Sequence, residues 1–401
     1  MTSSDDQAPT LTPAQSRAAR ALLAWTQPAL AKRARVGAST VADFERGQRT
    51  PLANNSEAMR SAFEAAGVCF LPGGAVIGPR PKRLPKGRAG GSPMRWVDGT
   101  DLVQWADRRD SHGGLPELLT RLVRASVGAT ATLFLRADEG VFFPGWDGTC
   151  ETPQGSQYVP SGSSGWEISS QREGITGKAT DDFDKRTIDP VNIAPASATF
   201  VFVTPRRWAD KEQWVQDRRA ERKWADVRAY DADDLVHWIE LFPAVGHWLA
   251  VRIGKRPAGL QQLNEVWDEW SLSTRWPLSS ELIRAERDEE QSRVLRWLED
   301  DPSVLAVQGN SAEEVIAFLQ ATIRELPTQY QLAYESQCVV ASSTESARSL
   351  VDSLSPLVVV LVDADPGVAQ PLVQQGHHVY LACGAETAFA GTPLTRKMHE
   401  F

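Results

Sequence analysis

Only four of the 401 residues are cysteine (Cys69, Cys150, Cys338 and Cys383), and no two of them stand at a metal-ligand spacing. That excludes a disulfide-stapled scaffold and a cysteine-built zinc site, and it suits a reducing cytoplasm. No run approaches the roughly 18 apolar residues of a membrane span. Residues 1–10 are polar and acidic, so no secretory leader is expected. Histidine is scarce, at six residues. No Ser/His/Asp set or Cys/His pair has a spacing that supports nucleophilic catalysis. His377-His378 has no third ligand beside it and reads as a turn. The chain is too long for one ordinary domain and implies two or three.

Positive charge is sparse overall but concentrated at one end. The net charge is −8, yet residues 7–88 hold thirteen Lys and Arg against four acids, a net of +9. The remainder therefore carries −17. A basic head on an acidic body is the footprint of a polyanion held by one domain.

Thr12-Pro13 with Gln15 predicts a capped helix start. A second short helix carries Leu30, Ala31 and Ala34. A turn at residues 36–39, with Ser39 as cap, starts a third helix bearing Val41, Phe44 and Glu45. A fourth spans 55–66. Two short helices joined by a tight glycine turn form a helix-turn-helix. Through Leu22, Gln27, Leu30-Ala31, Val36, Ser39-Thr40-Val41, Phe44-Glu45, Gly47 and Pro51, residues 11–71 resemble the lambda-repressor/Xre family. The resemblance implies double-stranded DNA as partner, with Ala38, Ser39, Thr40 and Asp43 toward base edges. It sets Gln27, Arg46 and Arg49 on phosphates. No arginine or asparagine stands on the reading helix to grip a purine edge, so sequence specificity would be weak. A helical bundle used for protein contacts is the alternative. Residues 72–93, rich in Pro, Gly and basic side chains, read as a flexible linker.

Residues 94–254 alternate helix and strand. The order is a helix near 115–122, strands at 131–136, 141–146 and 165–169, a charged helix at 177–187, and a buried strand at 199–204. A helix at 211–224, a strand at 227–230 and two further helices complete it. This predicts a mixed sheet with helices on both faces. Asp147 and Glu167, each after a tryptophan (Trp146 and Trp166), fall at the ends of neighbouring strands. Lys178 and Lys185 follow on the next helix. Two such acids and a lysine are the minimal set for metal-assisted phosphodiester cleavage. The bland alternative is a hairpin aspartate and a solvated strand end.

The order of elements resembles the restriction-endonuclease-like PD-(D/E)xK nucleases of the Mrr type. It is also similar to a bacterial group that joins an Xre-type head to a domain with Trp146-Asp147-Gly148, Trp166-Glu167 and Phe202-to-Trp208 signatures. The resemblance implies Mg2+ on Asp147 and Glu167, with Glu117 as an auxiliary ligand, and defence against foreign DNA as the setting. The family lysine belongs two residues after the second acid, where this chain has Ser169. Lys178 or Lys185 is then the substitute. If neither serves, the protein is a transcriptional regulator with an inactive nuclease-like domain.

Residues 255–277 read as a linker with Trp267 and Trp270 as anchors. Residues 278–401 alternate strand and helix and resemble a degenerate P-loop NTPase core, with Val359 to Asp363 as the acid-tipped strand. The phosphate loop would fall at 308–314, which has Gly309, Glu313 and Glu314 and no lysine. No ATP is expected, and docking or homo-oligomer formation is the expected use. The fold class is thus multidomain: an all-α head, an α/β nuclease-like domain and a small α/β domain.

Overall fold

The computed structural model describes residues 11–23, 25–66, 68–70, 76–77, 95–136, 145–273, 275–362, 365–386 and 392–393. Most of the expected linker 72–93 lies outside these.

The head contains α1 (Pro13–Leu22), α2 (Gln27–Ala34), α3 (Ala38–Glu45) and α4 (Ala53–Ala65). Thr12 and Gln15 form the expected capping box. Arg35, left-handed at φ 55°, ends α2. Gly37, not Ser39, precedes α3, and no side chain caps it. Ser39 therefore lies in the first turn rather than ahead of it. Leu30, Val41, Phe44, Met59 and Phe63 form the core. A hairpin of β1 (Cys69–Phe70) and β2 (Val76–Ile77) extends the head past residue 71. Phe70 closes over Phe63 edge-on, which is why the chain stays attached beyond the expected boundary.

The middle part begins with α5 (Gly99–Ala106) and α6 (Ser111–Val127). It continues as β3 (Thr132–Leu135), β4 (Gly148–Thr152), β5 (Gly162–Ile168), α7 (Ile175–Ile188), β6 (Thr199–Val203), α8 (Lys211–Ala220) and β7 (Asp226–Tyr230). Two helices, α9 (Ala232–Glu240) and α10 (Pro243–Arg252), close it. The sheet runs β3-β4-β5-β6-β7. The first three strands are antiparallel; β5, β6 and β7 are parallel. Alternation along β6 explains the layering. Val201 and Val203 face a core with α6, α9 and α10, whereas Phe200 and Phe202 face one with α7 and α8. The tryptophans at 208, 214, 224, 238 and 248 are buried in these cores.

The last part holds β8 (Leu260–Gln261), α11 (Leu263–Ser271), α12 (Ser280–Arg284), α13 (Asp288–Glu299), β9 (Val304–Gln308), α14 (Ala312–Arg324) and α15 (Thr328–Glu335). Then come β10 (Cys338–Ala341), α16 (Thr344–Ser349), β11 (Val358–Val362), α17 (Ala369–Gln374), β12 (His378–Cys383) and β13 (Thr392–Pro393). Its sheet runs β13-β9-β12-β11-β10-β8, parallel except for β8. Residues 255–277, expected as a connection, supply β8 and α11, because Leu263, Val266 and Trp267 bury into this core. The helices α12 and α13 are separated where Glu286 takes φ 59°. His377 and His378, expected as a turn, are buried where β12 begins; the His377 Nδ1 accepts the Leu357 N–H at 3.1 Å.

The whole is mixed α/β with two mixed sheets. Among the described residues no helix is long and apolar enough to cross a membrane.

Candidate active site at Asp147 and Glu167

Most of the second strand expected, 141–146, lies outside the described residues, and the described strand β4 begins at Gly148. Gly145 takes φ 122°, a region open to glycine, and residues 145–147 lie ahead of the pairing that starts at Gly148. Asp147 therefore stands just ahead of β4. Gly148 pairs with Trp166, which brings Asp147 beside Glu167. The Ile168 N–H donates to Asp147 Oδ2 at 2.9 Å, fixing the first acid to the strand of the second. Trp146 lies across Gly165: a Cβ there would meet the indole at 2.6 Å. The indole N–H donates to the Pro190 carbonyl, just past α7.

Glu167 is only 3% exposed. It lies on the face covered by α7, where the Arg186 Nε donates to Glu167 Oε1. A second Arg186 nitrogen donates to the Gly145 carbonyl, and the guanidinium sits 5.1 Å from the Trp146 ring centroid. Burial, and after it the Asp147 charge, push the Glu167 carboxyl up to about 8, against the downward pull of Arg186. One turn earlier on α7, buried Asp182 pairs with Lys178. Burial again raises the Asp182 carboxyl; Lys178 opposes that and the Asp147 charge adds to it.

Lys178, Asp182 and Arg186 are four residues apart in turn and so share one stripe of α7. Lys185 lies off that stripe and is exposed. The structure thus groups Asp147 and Glu167 and brings the stripe bearing Lys178 to them. It does not bring Glu117 to them. The Glu117 carboxylate accepts from Arg121 at 3.0 Å and from Arg252 at 2.9 Å, in a network that includes Asp110. Arg186 and Asp182 were missed because charged residues in a helix read as solvated. Their spacing was the available signal, since they flank buried Ala179 and Phe183.

No protein-family model matches this chain. No curated protein matches it either.

The donor set bears on magnesium directly. Among the described residues no three His, Cys, Asp or Glu side chains form a metal-binding group. Magnesium commonly takes one or two carboxylates and keeps several waters, so Asp147 and Glu167 are a compatible pair. Ser169 follows Glu167 where the family lysine would stand; its hydroxyl accepts the Gln171 N–H at 3.2 Å.

In the head, Ala38, Ser39, Arg46 and Arg49 are exposed, and Thr40 and Asp43 are half-buried. Gln27, expected on phosphate, is half-buried at the start of α2. Its Nε2 donates to Glu45 Oε2 at 2.8 Å, inside a cluster where Arg20 and Ser16 bind the same carboxylate.

The loop that opens α14 is internally satisfied. Glu314 accepts the Asn310 N–H at 3.0 Å and its Nδ2 at 2.9 Å, and pairs with buried Arg287 at 2.8 Å. Burial would raise this carboxyl, but Arg287 and Asn310 outweigh it and hold it below the ordinary range. The expected acid tip, Asp363, lies outside the described residues.

Proposed function

We propose that this chain is a double-stranded-DNA-binding protein whose middle part is a restriction-endonuclease-like domain that cuts DNA with magnesium. The observation that carries this is the meeting of Asp147 and Glu167 at adjacent strand ends of a three-stranded antiparallel unit continued by a parallel strand. Those two acids would hold the ion. Bound magnesium supplies an activated water and offsets the charge that builds on the phosphate. Lys178 adds positive charge from α7, in place of a lysine at Ser169. The basic head keeps duplex DNA within reach, through phosphate contacts from Arg46 and Arg49 and the exposed first turn of α3. We place this activity in the bacterial cytoplasm, in defence against foreign DNA. No ATP is used: at the α14 loop the Glu314 carboxylate occupies donors that a phosphate would need.

A second reading has its own support. Glu167 is buried and already accepts a hydrogen bond from Arg186, which suits a transcriptional regulator with an inactive nuclease-like domain. Incubation of the full-length protein with supercoiled plasmid separates the two. Nicking that requires Mg2+ and stops with chelator supports the nuclease. Tight DNA binding with no nicking in Mg2+ or Mn2+ supports the regulator.

A further inference from the structure

Something must hold two acids in one geometry, and Gly145 to Asp147 are not themselves in a strand. One side chain touches both sides of this gap. Arg186 is 3% exposed, so its charge cannot be directed at solvent or at a bulky substrate. Its Nε binds Glu167 and another nitrogen binds the Gly145 carbonyl, two residues before Asp147. Its face lies on Trp146. Trp146 is seated on Gly165 and tied to the Pro190 carbonyl. The C-terminal turn of α7, the approach to Asp147 and the end of β5 are thereby closed into one frame.

We propose that Arg186 is the positioning residue of the two-acid site: its fork fixes the distance between Asp147 and Glu167. This rests on the reading of those acids as cation ligands, but it makes a claim of its own. A merely charge-balancing arginine could be replaced by lysine, which keeps the charge. A positioning arginine could not, because lysine is a point charge and lacks the planar fork that spans two acceptors.

The test uses the full-length protein, wild type and R186K, with Mn2+ as probe. Hydrogen exchange at the Ile168 amide, which donates to Asp147, reads the frame without any metal. Calorimetry reads Mn2+ affinity. In R186K we expect exchange at Ile168 to rise at least tenfold while β6 and β7 stay protected, and Mn2+ affinity to weaken about tenfold. Unchanged exchange in R186K overturns the proposal. Raised exchange in R186K, when the wild type itself binds no Mn2+, upholds the positioning role and removes the cation reading instead. If R186K does not fold, R186Q serves. R186Q keeps a polar donor but its single amide cannot span both acceptors, and the same rise at Ile168 is expected; its absence overturns the proposal.

Discussion

Asp147 and Glu167 are held differently, and substitutions at them should differ accordingly. Glu167 is buried against Asp147, and its carboxyl keeps a proton up to about 8 in the folded chain against an ordinary 4.5. Between those values the folded state binds more protons than the unfolded one, so stability falls as pH rises through that window. We expect the melting temperature to decline from pH 5.5 to 8.5, and E167Q to flatten the decline. Equal slopes in the two proteins would contradict this. By mass action, Mg2+ should then raise the melting temperature more at pH 8 than at pH 6, where Glu167 holds its proton. Gly165 makes a separate prediction. In G165A the new methyl collides with the Trp146 ring. The overpacking should cost about 1–3 kcal/mol in chemical denaturation. A cost near zero would mean that Trp146 is not locked on this strand.

At the scale of elements, α7 decides between the two candidate lysines. Lys178 shares the Asp182–Arg186 stripe, whereas Lys185 points elsewhere. K178A should therefore lose roughly a hundredfold or more in cleavage rate, about 3 kcal/mol of transition-state stabilisation. K185A should stay within about threefold of wild type. Single-turnover cleavage measures both, and the reverse ranking would contradict the assignment. Much of this architecture was legible in the sequence. The Phe-Val-Phe-Val run of β6 announced a buried strand, and the charged stretch at 177–187 is the helix α7. The start of β4 was not legible, because nothing in the run of side chains announces the positive φ at Gly145. Arg186 was hidden for a different reason. A buried arginine and an exposed one look alike until the partner, Glu167, is known to lie opposite.

At the scale of the molecule, the break expected near residue 254 is not a loose joint. The Ser355 hydroxyl donates to the Leu241 carbonyl, His247 Nε2 to the Leu260 carbonyl at 3.1 Å, and Gln337 to the Ala125 carbonyl at 3.4 Å. Ala244 of α10 sits in the core of the last sheet. A chain cut after residue 254 should therefore be poorly soluble, whereas residues 94–401 should fold with nearly full melting temperature and lose most DNA affinity. Sequence reading could not find this contact, since it is made of backbone carbonyls and scattered polar side chains with no pattern. DNA binding by the intact chain should weaken steeply with salt, because the head works on phosphates. Binding unchanged between low and moderate salt would contradict that.

The central claim is that Asp147 and Glu167 are a cation-dependent cutting site separate from the DNA-holding head. Cleavage and binding measured on the same plasmid with D147N test it most directly. The prediction is that D147N binds DNA within about twofold of wild type and shows no Mg2+-dependent nicking. Nicking by D147N at the wild-type rate would contradict it.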